Sequence, residues 1–286
     1  RGLSFLLLAD QQLFYTKLVV DSSTCESLHS FYEVKNMNEM IKKQLNHRTI
    51  RFFKDKQVAP EQLNTILEVI NQTASSNALQ AFSIIRVTDQ EKRSKLAEIT
   101  KQAYITKVPE LFIFVIDNYR NATIAKAKGY KGESYRSMDF FFQGAADSYL
   151  AAQNATNAIE ALGMGAVYFG SILNDAQAVV NLFNLPELTF PILGLGFGYP
   201  DDEPQLKPRM NLKLKLGENE YPKRDDIVVD LAAYDQQMQE YYDTRDKNRR
   251  VDSFTNQVVA KYQSAPKLRA ELLRVVQRQG YQLNLE

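Results

Sequence analysis

Apolar positions recur at three- and four-residue steps in some stretches of this chain and run uninterrupted in others, which predicts helices alternating with strands. Met37 to Leu45 carries Met37, Met40, Ile41 and Leu45 at helical spacing. A second helix is expected from Pro60, because Pro followed by Glu61 suits a first turn; Leu63, Ile66, Leu67 and Ile70 are its expected buried stripe, and Ser75-Ser76-Asn77 follows as a loop. Phe82 to Val87 reads as a strand, and Asp89 as the cap of a charged helix reaching Lys101. The unbroken run Leu111-Phe112-Ile113-Phe114-Val115-Ile116 predicts a strand covered on both faces, central in its sheet.

Met138 to Leu162 is the longest helical pattern, with Phe140, Phe141, Ala145, Tyr149, Ala152, Ala155, Ile159 and Leu162 in phase. Its many alanines permit close approach of another helix, in a core or at a subunit interface. Gly163-Met164-Gly165 ends it, Ala166 to Phe169 is a third strand, Asp175 opens a helix through Leu182, and Phe190 to Gly198 is a fourth strand. Glycines 194, 196 and 198 alternate on that strand with no helix after them, so they are expected to admit a neighbouring element or flat ligand rather than a dinucleotide phosphate. Beyond Pro222 three helical stretches are expected, Leu231 to Thr244, Phe254 to Tyr262 and Pro266 to Gln279, the first two separated by the basic loop Asp246 to Arg250.

Charge changes this picture little. Across 286 residues, 35 Lys and Arg face 34 Asp and Glu, so there is no general attraction to nucleic acid or an anionic membrane, and no apolar run reaches the roughly 18 residues of a spanning helix. One cysteine, Cys25, and two histidines, His29 and His47, exclude an intrachain disulfide framework and a cysteine- or histidine-built metal site; they fit a reducing, cytoplasmic compartment. Residues 1–36 lack sustained periodicity and are expected to be a tag or upstream extension, leaving 37–286 as the folded domain with a C-terminal helical excursion.

The strongest chemical signal is His47-Arg48-Thr49-Ile50-Arg51-Phe52-Phe53. In an extended segment Thr49 and Arg51 share one side, and Arg48 and Ile50 the other. A hydroxyl and a planar fork of donors then face one anion such as a phosphate; a basic surface strand is the alternative. Lys207-Pro208-Arg209 is a second basic group in a proline-marked loop, and Arg245 with Arg249 and Arg250 a third. Asp201-Asp202-Glu203 is expected to be a solvated loop. With no serine in a nucleophile elbow and no metal-ligating set, a cofactor that carries the reaction is the economical hypothesis.

Taken in order, His47 to Arg51, Ser75-Ser76-Asn77, Gly163 to Gly170 and Lys207-Pro208-Arg209 resemble the motifs of the nitroreductase superfamily, over about Met37 to Gly280. The stretches Glu240 to Arg245 and Asn248-Arg249-Arg250 are similar to its NADPH-dependent flavin reductase and oxygen-insensitive nitroreductase branch. The resemblance implies an α+β fold, with a central mixed, mainly antiparallel sheet flanked by helices, in an intertwined homodimer holding two FMN molecules at the subunit interface. Residue by residue, it implies that His47, Arg48, Thr49 and Arg51 hold the phosphate and flank the ring, and that Ser75 and Asn77 come from the partner subunit. It further implies that Gln102 bonds the pyrimidine edge, that Tyr168, Phe169, Gly170 and Ser171 pass along the ring, that Lys207 and Arg209 complete the clamp, and that Arg245 and Arg249 take the 2′-phosphate of NADPH. No side chain is implied as catalyst. The implied activity is ping-pong reduction of small-molecule acceptors (nitroaromatics, quinones or flavins); the alternative is a flavin-binding or flavin-delivering protein with incidental turnover. This chain departs from the family pattern in Thr49 for serine, Ser171 for a common glycine, and Ala265 where arginine often faces the substrate.

Overall fold

The unbroken apolar run is strand β2 (Glu110–Asp117), buried at every residue. It lies between β1 (Phe82–Arg86) and β4 (Thr189–Gly198), and β4 in turn pairs with β3 (Gly165–Phe169), giving the order β1-β2-β4-β3 with every ladder antiparallel. Parallel pairing among the described residues is confined to isolated bridges, Thr49 with Ala166 and Ser137 with Gln282. Pro191 lies in an interior strand, beside a register shift in the β2–β4 ladder, the kind of irregularity where a residue lacking an N–H is tolerated.

The chain divides into two units, Arg1–Asn38 and Glu39–Glu286. The computed structural model describes residues 38–241, 252–264 and 267–283, and the sheet and its helices belong to the second unit. The leader expected at 1–36 lies outside the described residues.

The two-residue period of β2 splits the core into two layers. Phe112, Phe114 and Ile116 pack with the long helix α5 (Met138–Ala161), while Leu111, Ile113 and Val115 join a second cluster with Leu96, Ile105, Phe169 and Val179. Glycines 194 and 196 admit β3: a Cβ there would lie 3.0 Å and 2.8 Å from Phe169 atoms. They therefore serve a neighbouring element, as the absence of a following helix foretold.

Several helices begin or end on local signals. The others are α1 (Glu39–Leu45), α2 (Pro60–Asn71), α3 (Gln90–Thr100), α4 (Tyr119–Ala127), α6 (Ala176–Leu182), α7 (Ile227–Asp230), α8 (Ala232–Glu240), α9 (Phe254–Gln263) and α10 (Leu272–Arg278). Asp89 accepts from the backbone N–H groups of Glu91 and Lys92 at the start of α3, Asp175 from that of Ala178 in α6, and Gly163 follows α5 at φ +78°. α4 is short and weakly patterned, and no apolar period announced it.

Three expectations need correction. Leu67 is exposed, not part of the buried stripe of α2, and Tyr149, in the apolar phase expected of α5, is exposed too. The helix expected to reach Thr244 stops at Glu240, where Tyr241 turns extended at φ −75°, ψ 132°. The stretch from Pro266 starts as a 3-10 turn at Lys267–Glu271 before α10. No helix among the described residues is long and apolar enough to cross a membrane.

Candidate functional site

The 47–53 segment leaves α1 and is stitched between β3 and the chain emerging from β4. Ile50 N–H donates to Ala166 O at 2.9 Å, Asp201 N–H to Phe52 O at 3.0 Å, and Lys54 N–H to Tyr199 O at 2.9 Å. Ile50 is the inward anchor, and Gly165 makes room for it: a Cβ at 165 would stand 2.3 Å from Ile50 Cγ1. Arg48 and Ile50 line a cavity of about 360 Å³ together with Glu160, Pro200 and Asp202, whereas Thr49 and Arg51 do not. The two sides expected of an extended segment are therefore present.

Charge is concentrated and incompletely satisfied in this segment. His47 Nδ1 lies 2.5 Å from Glu160 Oε1, a carboxylate buried near the end of α5. Arg48 Nε and Arg51 Nε are both buried with no hydrogen-bond partner, and Arg48 Nη1 reaches only Asn46 O, at 3.5 Å. Asp202 Oδ1 is buried and unpartnered too. Burial pushes the Asp202 carboxyl above its ordinary range, and its own backbone N–H and the Arg51 guanidinium pull the other way. Asp201 and Glu203 are exposed, as a solvated loop requires, but Asp202 is half-buried and borders the cavity that Arg48 lines. Buried guanidinium N–H groups without an acceptor are costly, and an anion would satisfy them.

A second group surrounds the turn after β3. Gly170 opens a 3-10 segment, Gly170–Asp175, and a Cβ there would meet nothing within 4 Å, so the backbone borders open space. Arg269 Nη2 donates to Gly170 O at 2.7 Å, while Arg269 Nε is buried and unpartnered. Ser171 Oγ donates to Gln102 Oε1 at 2.7 Å. Tyr168 and Phe169 turn their side chains into the body of the protein: the Tyr168 hydroxyl is 2.5 Å from Thr156 Oγ1 on α5, and Phe169 is fully buried with its ring 5.6 Å from that of Tyr104. Burial holds the Tyr168 phenol above its usual pKa. Along 168–169, only backbone and the margin of the tyrosine ring remain for a ligand.

Ser75 and Asn77 lie elsewhere on the chain. Buried Asp147 of α5 accepts from Ser75 Oγ at 2.8 Å, Ser76 N at 2.8 Å and Ala81 N at 2.9 Å, and Asn77, at φ 50°, donates to Gln143 Oε1 at 3.2 Å. Asp147 and Glu160 are thirteen positions apart on one helix, so the Ser75 and His47 groups are anchored about 20 Å apart along it. Within one chain the structure does not bring them together. Lys207 and Arg209 are exposed on the coil after β4; Arg209 Nη1 bonds Lys207 O at 3.3 Å, and Tyr234 of α8 holds Pro208 O at 3.2 Å. Arg245, Arg249 and Ala265 lie outside the described residues. Sequence reasoning missed Glu160 and Arg269 and misjudged Asp202. A lone acid in the apolar last turns of α5 was the only available signal for Glu160; Arg269 offered none.

Two family descriptions match this chain: the nitroreductase family over residues 45–199 and the nitroreductase family C-terminal domain over residues 207–284. The NADPH-flavin oxidoreductase of Vibrio harveyi is 37% identical over 79% of this chain and 91% of its own length. The FMN reductase (NADPH) of Bacillus subtilis is 32% identical over 87% of this chain and 100% of its own. The crystal structure of nitroreductase A from Vibrio parahaemolyticus superposes with a TM-score of 0.77 at 36% identity, covering 87% of this chain and 100% of that one. An antiparallel sheet between α5 and the α3–α6 layer, a basic segment bridged to β3, and a match spanning both family regions lead to one conclusion: the chain belongs to the nitroreductase family.

Proposed function

We propose that this protein is an FMN-containing oxidoreductase that uses NADPH to reduce nitroaromatics, quinones or flavins. The observation that carries the reading is the pair of buried, acceptorless nitrogens Arg48 Nε and Arg51 Nε. A phosphate on the Thr49 side of the segment would supply the acceptor that Arg51 Nε lacks, and the open side of Gly170 leaves space for a flat ring beside the backbone. FMN held there would supply the two-electron chemistry between NADPH and the acceptor, in a ping-pong cycle. The protein's residues bind and orient. His47, Arg48, Thr49 and Arg51 hold the phosphate and one flank of the ring, with His47 steadied by Glu160. Gln102 bonds the pyrimidine edge, the 168–171 backbone lies along the ring, and Lys207 and Arg209 close the clamp. Arg245 and Arg249 receive the 2′-phosphate of NADPH.

Ser75 and Asn77 serve the partner's cofactor. Their separation of about 20 Å along α5 from the Glu160 anchor supports a site completed by a second copy of the chain. Exposed Phe142, Tyr149 and Leu150 on α5, and Met40, Ile41 and Leu45 on α1, offer apolar surface for that homodimer. Sparse cysteine usage supports a cytoplasmic location. Ser171, which stands where the family pattern has a common glycine, directs its hydroxyl to Gln102. A yellow purified protein that oxidises NADPH with a nitroaromatic or quinone meets the proposal; colourless protein unable to take up FMN contradicts it.

A further inference from the structure

We infer that the cavity between the 53–58 segment and the ends of β1 and β2 is a binding site for an organic polyanion of the nucleoside-polyphosphate class. None of its lining residues belongs to the sets proposed for FMN or NADPH, so the inference stands apart from that reading.

The charge of the cavity is lopsided because its buried acid is already taken. Glu110, buried at the start of β2, accepts from Arg86 Nε at 2.8 Å and from Arg86 Nη2 at 2.6 Å, one bond on each carboxylate oxygen. That leaves Arg93 of α3 without a carboxylate of its own. Its buried guanidinium donates to the carbonyls of Val87, Val108 and Pro109 at 2.9, 2.6 and 3.3 Å. Carbonyls satisfy its donors but do not neutralise its charge. Burial holds the Arg93 guanidinium below its ordinary pKa, with Glu110 opposing the shift and Arg86 adding to it.

The donors available to a ligand are the ammonium groups of Lys54, Lys56 and Lys107, which line the cavity, are exposed, and have no carboxylate partner among the described residues. Lys54 and Lys56 stand on a tight turn closed by Lys56 N–H to Lys54 O at 2.7 Å, and Lys56 Nζ lies 3.9 Å from the centre of the Tyr199 ring. Asp55 is the remaining acid of the lining. With Arg86 and Glu110 neutralising each other, the lining keeps an excess of three positive charges, against one for the entire chain. Such a field in a cleft with low-dielectric walls concentrates anions.

Size and surface say what kind of anion. The cavity measures about 790 Å³, within the roughly 300–1,000 Å³ of sites for organic ligands and more than an inorganic phosphate fills. Buried Val58, Leu63 and Val108 give it an apolar wall. A ligand that uses both features carries several negative charges on a body that packs against carbon.

The test is calorimetric titration of ATP into the protein with FMN in excess, so that the flavin phosphate occupies the clamp proposed for it. Saturable binding that weakens with added salt is expected. Replacing both exposed lysines, Lys56→Ala with Lys107→Ala, should weaken ATP about tenfold or more while Tm and FMN uptake stay as in the wild type. Tripolyphosphate, which has the charges alone, should bind more weakly than ATP, and adenosine, which has the body alone, should not bind. No saturable binding at millimolar ATP overturns the inference. So does ATP affinity that the double variant leaves unchanged, which would put the nucleotide elsewhere, or tripolyphosphate that matches ATP. The double variant decides equally for protein that takes up no FMN.

Discussion

Arg51 shows most plainly how an unsatisfied side chain points to a ligand. Its Nε is buried without an acceptor, and the carboxylate near it, Asp202, is itself disfavoured as an anion by burial. If a phosphate occupies this place, Arg51→Ala removes a charge-assisted bond and should weaken FMN binding by roughly 1.5–3 kcal/mol, about 10- to 150-fold in Kd; fluorescence titration of FMN measures this, and an unchanged Kd refutes the role. Asp202 yields a pH prediction for the ligand-free protein. Its folded-state pKa is raised, so the folded state keeps this proton to higher pH than the unfolded state does. The corresponding stability is fully present below the unfolded pKa and is lost as pH rises through the folded one. Asp202→Asn should flatten the fall of Tm with rising pH in the acidic range, and an identical slope in the variant would contradict the assignment. Partnerships of this kind were illegible in the sequence: Arg51 acts through its charge on Asp202, His47 meets Glu160 and Gly170 meets Arg269 across separations that no local pattern encodes. What was legible was the residue chemistry of 47–51, because alternation in an extended segment separates Thr49 and Arg51 from Arg48 and Ile50 without help from the rest of the fold.

Among elements, legibility followed the strength of local signals. β2 was readable because a run covered on both faces has no polar phase, and α3, α5 and α6 because Asp89, Gly163 and Asp175 mark their ends with specific backbone bonds or a positive φ. The last turn expected of α8 was not readable: its sequence supports a helix that the chain abandons at Tyr241. The turn at Ser76–Ala78 depends on α5 through the three bonds to Asp147, which is 1% exposed. Asp147→Ala strands those donors and should cost roughly 2–4 kcal/mol, seen as a drop in the denaturation midpoint; a neutral result would mean the turn is held otherwise. On the sheet, Gly196→Ala places a methyl 2.8 Å from the Phe169 ring and 3.0 Å from Val108, against unyielding core. A loss of roughly 1–3 kcal/mol is expected.

At the scale of the whole molecule, one chain presents two polar groups about 20 Å apart along α5, one around Ser75 and Asp147 near the middle of the helix and one around His47 and Glu160 near its C-terminal end. A symmetric pair of chains can bring one of each to a common cofactor, and the apolar surface on α1 and α5 is where such a pair can close. Light scattering on the eluting protein should give twice the chain mass. Leu150→Glu, which charges a half-exposed position on α5, should yield monomer and release FMN together; monomer that retains FMN would disconnect the site from assembly. The helices expected beyond Pro222 were largely readable from their apolar spacing; Arg245 and Arg249, proposed for NADPH, lie outside the described residues. The central claim is electron transfer from NADPH through bound FMN to a small acceptor, and an anaerobic spectral titration tests it most directly. Addition of NADPH to the FMN-loaded protein should bleach the flavin absorbance, and a nitroaromatic or quinone added afterwards should restore it; absorbance that NADPH leaves unchanged, or that no acceptor restores, would contradict that claim.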